Sequence, residues 1–178
     1  MTKREPKIEL LKGDITESNS QCIVNTANDR LIFGSGLPGA IKAKGGGGIV
    51  EECSKFGTLQ VGEAVVTSAG KLKANYIIHT VVSKYDDFLE KENIGKALIS
   101  ALRLANDLKI KSIAIPDMSM GIVRFPPEEC AREMFKIIQR FVEVENSSLE
   151  LIEIFLWDVE TLRIYKSIYR EIFSQDSK

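Results

Sequence analysis

Short apolar runs rich in β-branched residues recur along this chain, and longer amphipathic stretches separate them. That alternation restricts the fold more than any other feature. Residues 7–11, 21–25, 62–67, 76–82, 112–115 and 149–157 read as strands. Ile94, Ala97, Leu98, Ala101, Leu102, Ala105 and Leu108 recur at spacings of three and four, which predicts a helix over 94–108. Pro127 suits a first helical turn, and Glu128 and Glu129 complement the N-terminal dipole, so a helix is expected from 127 to about 142. Asp158 is placed to N-cap a last helix reaching about residue 173. A further helix over 39–56 is interrupted at Gly45 through Gly48. Four glycines should break it into two pieces joined by a tight turn. The alternative, a linker between domains, leaves flanks too short to fold alone. Strands alternating with helices imply a three-layer α/β/α domain around a central mixed, largely parallel sheet.

At 178 residues the chain is expected to form a single domain, 1–178, with a core over about 8–173. The formal net charge of −1 gives no overall basic field for nucleic acid. No apolar run approaches the roughly 20 residues that span a bilayer. Residues 1–6 are charged and lack the apolar stretch of a signal peptide, so a cytoplasmic location is expected. Cys22, Cys53 and Cys130 are odd in number and widely spaced, which suggests neither a disulfide framework nor a zinc motif. They read as small buried hydrophobes. His79 is the single histidine and sits in a strand pattern, so a histidine-dependent triad or a multi-histidine metal site is nearly excluded and a structural role is expected.

In such sheets ligands bind beyond the carboxyl ends of the strands. The loops at 25–39, 117–125 and 157–158 therefore matter most. The first holds Gly34-Ser35-Gly36-Leu37-Pro38-Gly39, where backbone N–H groups and a helix start can cradle a phosphate. A glycine-rich surface turn without a ligand is the alternative reading. The residues also spell the G-x-G-x-x-G dinucleotide fingerprint, but the strand is expected to end near Val24, too early for that turn. Glu51 and Glu52, at the spacing of a ribose-binding acid, lie in a helical stretch.

Six segments in this order resemble the macro domain family across nearly the whole chain. They are Gly13-Asp14-Ile15-Thr16, Ile23-Val24-Asn25-Thr26-Ala27-Asn28, Gly34-Ser35-Gly36-Leu37, Tyr76-Ile77-Ile78-His79-Thr80-Val81, the run from Pro116 to Pro126, and Leu156-Trp157-Asp158. The resemblance implies a macro fold that binds ADP-ribose, free or carried on an ADP-ribosylated protein, with no cofactor and no metal. Asp14 would accept from the adenine amino group and the Ile15 N–H would serve a ring nitrogen; a turn or cap role is the alternative for Asp14. Trp157 would stack on adenine, or else pack in the core. Asn28 would meet the distal ribose, or else only shape a turn. Gly34, Ser35, Gly36 and Leu37 would hold one side of the pyrophosphate. Ser119, Met120, Gly121, Ile122 and Val123 would hold the other through a nest of backbone N–H groups.

The pattern also departs from the family. Hydrolytic members commonly carry an acid where Pro38 stands, and proline cannot act as a general base. Arg124 stands where glycine is common, to contact a phosphate or the ligand-bearing partner, or simply to be solvated. Met120 replaces a small residue. The expected function is ADP-ribose binding. The alternatives are an ADP-ribosyl or O-acetyl-ADP-ribose hydrolase without the usual acid, with Asn28 and Asp117 as weak catalytic candidates, and binding of poly(A) or a nucleic-acid end.

Overall fold

The computed structural model describes residues 5–87, 89–119, 125–145 and 147–174. Among these, six strands are present: β1 (Lys7–Lys12), β2 (Cys22–Asn28), β3 (Ala64–Ser68), β4 (Tyr76–Ser83), β5 (Ser112–Pro116) and β6 (Leu151–Leu156). The α-helices are α1 (Gly36–Gly45), α2 (Gly47–Ser54), α3 (Lys91–Asp107), α4 (Pro127–Val144) and α5 (Val159–Phe173), and one 3-10 turn covers Ile15–Glu17. No helix among the described residues is long and apolar enough to cross a membrane.

The strands form one sheet in the order β1-β6-β5-β2-β4-β3. Every pairing is parallel except that of β3 with β4. The period of two in each strand divides the core between two faces. Ile23, Ile77 and Ala114 point toward Ile41 of α1 and Ile49 of α2. Val24, Ile78, Ile113 and Ile115 point toward α3, α4 and α5. Helix α4 buries Cys130, Ala131, Met134, Phe135, Ile138, Phe141 and Val142 along one stripe. Phe135 meets Tyr165, Tyr169 and Phe173 of α5 edge-on, at ring separations of 5.9, 5.6 and 5.8 Å. The three-layer arrangement and the mixed, largely parallel sheet follow the sequence expectation.

Element ends differ from that expectation for local reasons. Strand β2 runs on to Asn28 instead of ending near Val24, because pairing with β4 continues through Thr26↔Thr80, Ala27↔Val81 and Asn28↔Ser83. Tertiary pairing here overrides the polar character of the segment. Strand β3 begins at Ala64, since Gly62 turns with φ of 92°. Strand β6 stops at Leu156 and leaves Trp157 outside the ladder. Helix α1 starts at Gly36, ahead of the expected Gly39. Pro38 then sits in the first turn, where its missing N–H removes no helical bond. The glycine run divides two helices as expected, but Gly46 alone makes the turn, with φ of 96°.

A polar knot lies between α2 and the sheet. His79 is fully buried. Asn25 Nδ2 lies 3.1 Å from His79 Nδ1, and Thr67 Oγ1 lies 2.9 Å from Nε2. Thr67 donates its own proton to the Ser68 carbonyl, so Nε2 carries the histidine proton and donates to Thr67. Cys53 Sγ is 3.5 Å from the same nitrogen, and Phe33 meets the ring edge-on. This is the structural role expected for His79. Burial lowers its pKa to about 4, against a slight opposing pull from Glu52. Burial likewise pushes the Cys22, Cys53 and Cys130 thiols up to about 12.

Two predictions follow from this packing. A depressed imidazole pKa leaves the unfolded chain binding the proton first, so stability is complete above pH 6.5 and falls as pH drops toward 4. The difference is about 3 kcal/mol. His79 is the single histidine, so proton NMR reads it directly. A ring titrating near pH 4 is expected, and a midpoint near 6.5 would contradict the buried network. The second concerns Gly39, whose added Cβ would lie 2.5 Å from the Gly34 carbonyl oxygen, whereas Gly34 itself faces open space. G39A should destabilise by about 1–3 kcal/mol. G34A should stay within about 0.5 kcal/mol. Chemical denaturation of both variants checks this, and equal losses would refute the close approach.

Candidate ligand-binding site

The carboxyl ends of β1, β6, β5 and β2 lie side by side, because these four strands are adjacent and parallel. At a strand spacing of about 4.8 Å the outer two ends are about 14 Å apart. The loops leaving the first three carry Asp14, Trp157 and Ser119 respectively, and Asn28 is the last residue of β2.

At the β1 end, Lys12 pairs with Leu156 and the Gly13 N–H donates to the Leu156 carbonyl at 3.0 Å. Asp14 is thereby set beside the chain that continues into Trp157. Asp14 Oδ1 accepts from the Thr16 N–H at 2.9 Å and from its hydroxyl at 2.6 Å, so Asp14 does cap the 3-10 turn. Its Oδ2 accepts from Lys44 Nζ at 2.8 Å. Burial pushes the Asp14 carboxyl up, but hydrogen bonds from Lys44 and Thr16 outweigh it and hold the pKa below its ordinary value. The Ile15 N–H opens the 3-10 turn, where no acceptor exists within the helix. Trp157 is 71% exposed, so it does not pack in the core. Asp158 accepts from the Thr161 N–H at 2.8 Å and caps α5 as expected.

At the β2 end, Asn28 Oδ1 accepts from the Arg30 and Ile32 N–H groups, each at 3.1 Å. Its Nδ2 donates to the Ile32 carbonyl at 3.0 Å. Asn28 therefore shapes the turn and keeps one Nδ2 hydrogen for another acceptor. Five residues separate the end of the strand from Gly34, and Glu51 and Glu52 belong to α2, so the dinucleotide fingerprint lacks its context. Gly34, Ser35 and Gly36 are exposed. Ser35 takes an extended conformation at the N-cap of α1, and its hydroxyl makes no capping bond to the helix. The first-turn N–H groups, which have no acceptor within the helix, and that hydroxyl form an edge whose chemistry suits an anion. Leu37 is half-buried and packs toward Ile41 and Ile49.

At the β5 end, Asp117 is buried and accepts from the Ser119 N–H at 2.9 Å, the Ser119 hydroxyl at 2.8 Å and the Tyr165 hydroxyl at 2.7 Å. The Ser119 carbonyl in turn accepts from the Phe125 N–H at 3.0 Å. The loop is pinned at both ends, and the polar hydrogens of Ser119 are engaged with Asp117. Met120, Gly121, Ile122, Val123 and Arg124 lie outside the described residues.

The strands thus gather Asp14, Ile15, Trp157, Ser119, Asn28 and the 34–37 loop on one edge, with an anionic acceptor and an exposed aromatic at one end and helix N–H donors at the other. Pro38 offers no proton-transfer group. Sequence reasoning missed two contacts. Lys44 is thirty positions from Asp14 and meets it only because α1 folds back over the 3-10 turn. Tyr165 reaches Asp117 from α5. No local pattern signals either one.

The family model for the Macro domain matches residues 24–134. A Pantoea vagans (strain C9-1) protein named O-acetyl-ADP-ribose deacetylase 1 is 36% identical over 165 residues, covering 89% of this chain and 96% of that protein. A Thermotoga maritima protein described only as uncharacterized is 44% identical over 167 residues; the alignment covers 90% of this chain and 28% of that longer protein. Among solved structures, the Oceanobacillus iheyensis macrodomain with ADP superposes with a TM-score of 0.87 at 27% identity, covering 98% of this chain and 96% of that one. The Trypanosoma brucei macrodomain in complex with ADP-ribose gives a TM-score of 0.82 at 28% identity, covering 90% and 68%. This chain belongs to the macro domain family.

Proposed function

We propose that this chain, as a single macro domain over 1–178, binds ADP-ribose, free or protein-linked. The observation that carries the proposal is the joint placement of Asp14 and Trp157 at one end of a sheet edge and the Gly34 to Leu37 loop at the other. Asp14, held as an anion, accepts from the adenine amino group while the Ile15 N–H meets a ring nitrogen. Trp157 covers the base. The first turn of α1 and the Ser35 hydroxyl hold the pyrophosphate from one side, and backbone N–H groups of Met120 to Val123 hold it from the other, Ser119 being committed to Asp117 instead. The free Nδ2 hydrogen of Asn28 donates to the distal ribose. Relatives solved with ADP and with ADP-ribose support this reading.

A second reading, hydrolysis of O-acetyl-ADP-ribose, is favoured by the name of the Pantoea vagans relative. Pro38 weighs against it, because the position where family hydrolases carry an acid has no proton to give or take. Asp117 is buried and already accepts three hydrogen bonds, so it makes a poor substitute.

Calorimetric titration with ADP-ribose, AMP, ADP and NAD tests the proposal, with ADP-ribose expected to bind most tightly. W157A removes a base–aromatic stack of about 1–3 kcal/mol and should weaken ADP-ribose about 5- to 150-fold. D14N keeps a capping oxygen for Thr16 but removes the charge, and should weaken binding about tenfold or more. Parent-like affinity in both variants would refute the site. Incubation of bound O-acetyl-ADP-ribose should release no acetate; steady release would favour the second reading.

A further inference from the structure

Lys44 is the one charged group that touches Asp14 from outside its own turn in the described contacts, and its effect on base recognition follows from counting donors and acceptors. Asp14 Oδ1 is filled by two hydrogen bonds from Thr16. Oδ2 holds one bond from Lys44 at 2.8 Å and so keeps one acceptor position. The Lys44 ammonium has three hydrogens. One goes to Asp14 and one to Glu17 Oε1 at 2.8 Å, which leaves one. Glu17 is shared with Lys73 at 3.3 Å, so the four charges balance. Both members of the central pair reach solvent, with Lys44 42% and Asp14 32% exposed at the side chain. The pair therefore presents one open acceptor and one open donor within 2.8 Å of each other.

A carboxylate alone offers only acceptors. It welcomes the 6-amino group of adenine and repels the 6-carbonyl oxygen of hypoxanthine or guanine. A carboxylate with an ammonium beside it reads either edge. Adenine donates from its 6-amino group and accepts at N1. A 6-oxopurine donates from N1–H and accepts at O6. Adenine meets Asp14 with its 6-amino group and the Ile15 N–H with a ring nitrogen, whereas a 6-oxopurine shifts in its plane to set N1–H on Asp14 and O6 on Lys44, giving up the Ile15 contact.

We infer that Lys44 relaxes base selectivity at this site, so that the chain takes diphosphate-riboses of 6-oxopurines as well as ADP-ribose. The inference rests on the adenine-end reading of Asp14 proposed above. Lys44 acts here as a specificity-determining residue, by donating to O6 and by cancelling the carboxylate charge that O6 would otherwise face.

The test is calorimetry of ADP-ribose and inosine diphosphate ribose against the parent chain, K44M and K42M. Methionine keeps the length and apolar stem of lysine and removes its charge. Lys42 lies on the same helix, is exposed, and has no part in the proposed site. The parent should bind the two ligands within about fivefold of each other, and K44M should prefer ADP-ribose by about tenfold more than the parent does. K42M should keep the parent ratio. A parent that already discriminates as strongly as K44M overturns the inference, and so does an equal shift in K42M. Failure of ADP-ribose itself to bind the parent overturns the proposed function, and the inference with it. An unchanged ratio with ADP-ribose bound overturns the inference alone.

Discussion

Parallel hydrogen bonding among β1, β6, β5 and β2 is the constraint on which the rest of the site depends. Parallel strands must return through crossover connections, so each leaves the sheet at the same edge. Four loops that are distant in sequence then start about 5 Å apart from their neighbours. Asp14 and Trp157 are near the two ends of the chain and become neighbours because Lys12 registers with Leu156. A shift of one residue in that pairing would turn the apolar face of the slipping strand out of the core, so the register is fixed by burial of Ile152, Ile154 and Leu156 with Ile8 and Leu10 packed on the same face. The shared edge is thereby a by-product of the core.

Side chains of the loops then fix the loops themselves. Asn28 closes the turn after β2, Asp117 closes the turn after β5, and Asp14 caps the turn after β1. Each uses its acceptors on backbone N–H groups, so the residues that open these turns are held before any ligand arrives. Rigid loops lower the ordering cost of binding. On the proposed reading, the same economy would let a chain of net charge −1 take a dianion. The donors would be backbone groups at the start of α1, whose dipole favours negative charge, with no lysine cluster needed.

Much of this was legible in the sequence because it is written locally. Spacings of three and four gave α3, Pro127 with Glu128 and Glu129 gave the start of α4, Asp158 gave the start of α5, and the glycine run gave the break between α1 and α2. The ends of β2 and α1 were less legible, since pairing with β4 and a proline-tolerant first turn decided them. At the site, the order of Asp14, Asn28, the glycine loop and Trp157 could be read directly, and the parallel topology placed them on one edge. The exposure of Trp157 could not be read, because an apolar strand that ends one residue earlier leaves no trace in composition. The Lys44 and Tyr165 contacts were invisible for a different reason. Each joins two elements that meet only in the folded sheet, and neither pair has a characteristic spacing.

Trp157 is the single tryptophan, and it stands exposed beside Asp14. Its fluorescence therefore reports on the end of the edge where the base is proposed to lie. Titration with ADP-ribose, alongside ribose 5-phosphate as a ligand without a base, is the most direct measurement. Stacking of adenine on the indole should quench the emission saturably with ADP-ribose and leave it unchanged with ribose 5-phosphate. Saturable ADP-ribose binding by calorimetry with unaltered Trp157 emission would contradict the account, because the base would then lie away from the edge that the parallel strands create.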